Sequence, residues 1–305
     1  MARLGTLMIP VVTLVMFALV GVARPAMYVY VSNAEDGNIG TYVMAGDGRL
    51  APGGRVPAGK LVMPMSVSPD KRYLYAAVRT KPFTVVTYAI DPKTGVLAER
   101  SRAPLAESFP YVATDQTGRY LLGASYGGNL VSVNAIGADG KISEPLQVVP
   151  TARNAHSIIT DKTNRYVFVP HLGTDQIFQF RFDATTGRLT ANTPPVVQMK
   201  MGTGPRHIIM SSDNTFAYLL QELTADITTL ALDANTGLLT PVSSMPDALQ
   251  KFSLVNPLRY MIDIAQRVYL EGSGPDRLSA DLWPLSVTAG ATLSIGALAF
   301  RTRIA

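Results

Sequence analysis

The chain has 305 residues, 47% apolar and 16% charged, which suits one large domain or two small ones with a substantial core and excludes extended disorder. The net charge is +5, but the 27 Lys and Arg residues are scattered without a dense run, so nucleic acid is not an expected partner. The absence of cysteine excludes disulfides, thiolate catalysis and Cys-ligated zinc.

The chain opens with "MARLGTLMIPVVTLVMFALVGVARPA", in which Arg3 precedes an uncharged run from Leu4 to Val22 and a small-x-small stretch, Gly21-Val22-Ala23. Residues 1–23 are expected to form a signal peptide or, uncleaved, a membrane anchor, with residues 4–22 as the tether. The expected location is exported, periplasmic or membrane-tethered. Translation from Met27, directly before the first clear strand, would instead leave the protein cytoplasmic.

Residues 24–250 carry two interleaved repeats. One is a strand, a turn ending in glycine, and an apolar residue, as in "YVMAGDGRL", "YAIDPKTGVL", "NAIGADGKI", "FRFDATTGRL" and "LALDANTGLL". Its glycines, Gly48, Gly95, Gly140, Gly187 and Gly237, are spaced by 47, 45, 47 and 50 residues. The other is an apolar strand, a polar turn, an aromatic and a second apolar strand. Its aromatics, Tyr73, Tyr120, Tyr166 and Phe216, are spaced by 47, 46 and 50. Two markers with one period identify a repeat architecture. Short strands rich in β-branched and aromatic residues, split by Asp/Asn/Gly turns, predict four antiparallel strands per unit. The expected fold is all-β, a β-propeller of four-stranded blades with five to six recognisable.

Within the fourth and fifth repeats, Arg206, His207 and Glu222 fall in one apolar, β-rich stretch, "GTGPRHIIMSSDNTFAYLLQEL". Solvated turn charges would explain them, and so would an acid–base site with an anion clamp. The only histidines, His156, His171 and His207, lie in separate segments without an i, i+4 pair, so no metal site is expected. "SYGGN" (125–129) lacks the Lys-Ser/Thr of a phosphate loop and reads as a turn that leaves Tyr126 near a site. Residues 251–305 carry neither marker cleanly and read as a degenerate segment with a partial blade, faintly visible in "PLRYMIDIAQRVYL". A truncated or frame-disrupted product and a shrunken ring of six blades both fit this reading.

The segments "SVSPDKRYLYAAVR", "LLGASYGGNLVSV", "AHSIITDKTNRYVFVPHLGTDQI" and "GTGPRHIIMSSDNTFAYLLQEL" together resemble the seven-bladed propeller lactonases. That family includes propeller-type 6-phosphogluconolactonase and carboxy-muconate lactonizing enzyme. Seven blades of this period need about 330 residues. The resemblance implies a lactone hydrolase that opens a small anionic sugar lactone without a cofactor. Its catalytic histidine, arginine and glutamate fall on His156, Arg206 and Glu222. A second family arginine, from a later blade, has no assigned counterpart here, with Arg259 and Arg301 the only nearby residues. His171, His207 and Tyr126 are expected to bind substrate. The alternatives are a muconate-type lactonizing enzyme and a non-catalytic exported propeller that serves as a binding scaffold.

Overall fold

The structure, a computed structural model, describes residues 27–242 and 286–287. The segment read as signal or anchor, and all of the degenerate C-terminal segment except 286–287, lie outside the described residues.

Five antiparallel sheets follow one another along the chain. The first holds β1 (Met27–Asn33), β2 (Asn38–Met44) and β3 (Leu50–Pro57). The second holds β4 (Val62–Val67), β5 (Tyr73–Val78), β6 (Thr84–Ile90) and β7 (Leu97–Pro104). The third holds β8 (Tyr111–Thr114), β9 (Tyr120–Ser125), β10 (Leu130–Ile136) and β11 (Ile142–Pro150). The fourth holds β12 (Ile159–Thr160), β13 (Tyr166–His171), β14 (Gln176–Asp183) and β15 (Arg188–Gln198). The fifth holds β16 (Pro205–Met210), β17 (Phe216–Gln221), β18 (Ile227–Leu232) and β19 (Leu239–Pro241). Each sheet is a meander whose strands pair in sequence order, which is the blade pattern that the repeats predicted.

Burial follows from position in the blade. Every residue of β9 and β13 is buried, because both faces of a second strand are covered by neighbouring blades. The outermost β11 instead alternates between shielded and exposed residues, and β3 is largely exposed. Apolar clusters sit between blades rather than within them. Ile39 and Ala58 pack with Val62, Leu74 and Val86 across blades one and two. Tyr75 and Val85 pack with Phe109, Val112 and Leu121 across two and three. Leu122 and Val131 join Val167 and Val169, and Phe168 and Ile177 join Ile208 and Leu219. Fully burying one such side chain contributes about 1.5–3 kcal/mol, so each blade depends on its neighbours. Among the described residues no such cluster joins the fifth blade to the first.

The two sequence markers meet in space. Gly140 of blade three lies over the ring of Tyr73 in blade two, where a Cβ would stand 2.6 Å from the ring. Gly95 lies in the same way over Tyr28, Gly187 over Tyr120 and Gly237 over Tyr166. The tyrosine hydroxyls complete the joint: Tyr120 donates to Thr185 O at 2.9 Å and Tyr166 to Asn235 O at 2.7 Å, each in the turn that carries the glycine. Tyr28 holds the place of Tyr73, so β1 is the counterpart of β5. Among the described residues, the first blade has no counterpart of the inner strand β4.

A second set of links runs along the inner turns. Asn164 and Asn214 adopt left-handed backbone, at φ 62° or less, a conformation that asparagine tolerates better than most residues. Their amides donate to Asp115 (2.8 Å) and Asp161 (3.0 Å) of the preceding blade. Both aspartates are fully buried.

Candidate active site

The inner strands begin at one rim of the arc, and the site is built there. Gln221 pairs with Pro205; Arg206 is the extra residue of the bulge that follows Pro205, and Glu222 is the first residue past β17, so the two side chains stand diagonally at one corner of blade five. Glu222 is held in its turn by its own N–H, which donates to Gly204 O at 2.8 Å. In blade four the bridge between Ala155 and His171 places His156 at the matching start of its inner segment, with its N–H on Pro170 O at 3.0 Å. Ser157 then crosses the blade boundary and donates from Oγ to Arg206 O at 2.9 Å. That bond ties the backbone beside His156 to the backbone of Arg206.

The three side chains converge. Arg206 Nε lies 3.0 Å from Glu222 Oε2 and donates to His156 Nε2 at 3.2 Å. His156 Nε2 is 3.9 Å from the same Glu222 oxygen. Because Nε2 accepts from the guanidinium, it is the unprotonated ring nitrogen, the one able to take a proton. Burial, then the charges of His207 and Arg206, push His156 down to a pKa of about 4, so the ring is neutral at pH 7. The Arg206–Glu222 pair is more exposed, with side-chain accessibilities of 42% and 41% against 12% for His156. The site therefore has a shielded base beside a solvent-facing charge pair.

Two of the residues expected to bind substrate are part of this cluster. His207 stands edge-on to His156 with ring centres 5.1 Å apart, and Tyr126 of blade three does so at 5.7 Å. The third is not. His171 is fully buried, packs on Phe178 at 4.4 Å and bonds through Nδ1 to Val169 O, so it belongs to the blade interior. The expectation that His171 binds substrate is corrected accordingly: it is the last residue of β13, and only the residue after it, Leu172, takes the rim position that Glu222 holds in blade five. Sequence reasoning missed Ser157, although it stands in the quoted "AHS", and Tyr111, whose ring is 5.6 Å from His207. Among the described residues no cluster of His, Asp and Glu has the arrangement of a metal site. A groove of about 330 Å³ lies between blades two and three, lined by Tyr73, Tyr75 and Arg119 among others. It sits at the opposite ends of the strands from His156, along the tyrosine–glycine joint, and its one carboxylate, Asp70, is bonded to Ser68 and Arg72 with its pKa lowered to about 2.

Five blade-like sheets in series, with a neutral imidazole held against an arginine–carboxylate pair at one rim, mark the chain as a β-propeller enzyme. Residues 26–255 match the family model described as lactonase, 7-bladed β-propeller, and the chain belongs to that family. It is 34% identical over 273 residues to a 6-phosphogluconolactonase of Serratia proteamaculans, covering 88% of this chain and 80% of the relative. It is 36% identical over 236 residues to a 6-phosphogluconolactonase of Pectobacterium carotovorum, covering 77% of this chain and 69% of the relative. Among solved structures, the periplasmic gluconolactonase PpgL of Pseudomonas aeruginosa superposes with a TM-score of 0.64 and 27% identity, covering 72% of this chain and 68% of that one.

Proposed function

We propose that the protein is a sugar-lactone hydrolase in which His156 activates water for attack on the ring ester carbonyl. The observation that carries this reading is the contact of Arg206 with both His156 Nε2 and Glu222. Opening a lactone needs a base for the water proton and positive charge where the oxyanion develops. His156 Nε2 accepts the proton, and Arg206 faces the developing negative charge. Glu222 holds the guanidinium in place and stabilises the imidazolium as it forms. The tetrahedral intermediate then expels the ring oxygen, which takes a proton from His156. The relatives named 6-phosphogluconolactonase and gluconolactonase support a sugar lactone as substrate.

Export is part of the same reading. It is supported by the word periplasmic in the name of the Pseudomonas aeruginosa relative and by the apolar run of residues 4–22.

The test is lactone opening by purified protein. His156→Ala is expected to lower kcat about 10²–10⁴-fold, and Arg206→Ala about 10²–10³-fold. An inactive parent, or two variants as fast as the parent, would sink the reading.

A further inference from the structure

We propose that Arg79 is a substrate-binding residue of this site and holds the anionic substituent of the lactone. The proposal rests on the lactonase reading above and adds a residue from blade two, the last of the quoted "SVSPDKRYLYAAVR", to which neither the motifs nor the family's catalytic set gave a role.

The placement follows from the repeat. Val78 pairs with Val62 in blade two just as Gln221 pairs with Pro205 in blade five. The next residues are therefore counterparts: Arg79 of Glu222, and Met63 of Arg206. The contact is reproduced as well, since Arg79 reaches Met63 Sδ within its blade at 3.1 Å, as Glu222 reaches Arg206 within its own. The same register places Tyr126, one residue past β9, on this rim in blade three, where its ring meets His156. Arg79 thus occupies the position from which two other blades already address the imidazole. Its charge also contributes to the lowered pKa of His156, an effect felt only within electrostatic reach.

The bonding of Arg79 leaves capacity for a ligand. Nε donates to Ser108 Oγ at 3.0 Å, and the other contact is the thioether, a weak acceptor. Arg49, Arg72, Arg102 and Arg206 are each paired with a carboxylate, whereas Arg79 has none within ion-pair distance among the described residues. The nearest acidic group in sequence to its partner is Glu107, which accepts the Ser108 N–H instead. At Arg206 the charge is offset by Glu222. At Arg79 it is not, which suits a phosphate or carboxylate held by a guanidinium fork.

The full chain would be assayed with a phosphorylated sugar lactone and its unphosphorylated counterpart, for the parent, Arg79→Ala and Arg79→Lys. Arg79→Ala should raise KM for the phosphorylated lactone at least about tenfold, a change in binding rather than kcat, and leave the neutral lactone within about twofold. Arg79→Lys should recover part of the loss. Equal losses on both lactones, or none on either, would overturn the proposal. Calorimetric binding of 6-phosphogluconate provides a readout without turnover. If the parent opens neither lactone yet binds 6-phosphogluconate at least about tenfold more tightly than Arg79→Ala, the hydrolase reading falls and the anion site stands. If the parent does not bind it, or both bind it alike, the anion site falls.

Discussion

His156 shows how a few ångströms set the chemistry of one side chain. Shielding and three neighbouring cationic or cation-forming groups, His207, Arg206 and Arg79, depress it from 6.5 to about 4. The base form therefore persists well into acid, and under the proposed mechanism proton-dependent loss of activity is expected near pH 4 rather than in the usual histidine range. We expect the His156 Cε1 proton to titrate near that value by NMR, and Arg206→Leu to move the midpoint upward by removing one of the depressing charges. A midpoint at 6.5 or above in the parent would contradict the buried, guanidinium-paired geometry. At this scale the sequence was informative where a residue stood inside a motif, as His156, Arg206 and Glu222 do. It misplaced His171 because strand alternation is strict. One position along β13 separates a side chain sealed in the blade from one on the rim, and "VPH" alone does not say which side of that step the ring falls on. Ser157, Tyr111 and Arg79 went unread for a different reason: Ser157 and Tyr111 meet their partners in another blade, and Arg79 reaches Ser108 beyond its own sheet, contacts that no local pattern encodes.

At the scale of the element, the two markers read from the sequence are halves of one joint. The turn glycine is needed twice over, for its left-handed backbone and for the space its missing Cβ leaves to a tyrosine ring. The two demands separate within this chain. Gly237 has φ +72° and lies on Tyr166, a ring pinned by its bond to Asn235 O. Gly48 has φ +84° with nothing within 4 Å of a Cβ. Gly48→Ala should therefore cost only the backbone term, about 1–2 kcal/mol. Gly237→Ala should add the overpacking term and cost about 2–5 kcal/mol in all. Urea denaturation of the two variants measures the difference, and equal losses would show that the ring contact is not what the glycine serves. The strands themselves were legible because β-branched runs, aromatic positions and Asp/Asn/Gly turns are local signals. That β1 has no inner partner among the described residues was not, because pairing across a blade is a long-range event.

Across the whole molecule, order passes from blade to blade through apolar seams and through the aspartate–asparagine links. Asp161 is an acid-sensitive member of that second set. Burial alone would raise its carboxyl pKa, but bonds from Thr163, the Tyr166 and Arg165 N–H groups and the Asn214 amide outweigh burial and hold it below the usual 3.8. A carboxyl whose folded pKa lies below its unfolded one stabilises the fold above the unfolded pKa, and that contribution fades as pH falls through the folded value. Asp161→Asn should lower the denaturant midpoint at pH 7, and its gap to the parent should close in strong acid. A gap that stays constant with pH would mean that the carboxylate charge plays no part. The fold class was legible at this scale because periodicity survives averaging over blades, whereas the closeness of blade two to His156 became visible only once the arc was assembled. The joint of tyrosine and glycine has a bearing on how such chains change length. Each repeat offers one half of the clasp forward and the other backward, so adding or removing a whole period leaves every remaining clasp matched. A cut inside a period strands two unlike halves. Growth and loss in whole blades is thus the path that the interlocking of neighbours leaves open to this architecture.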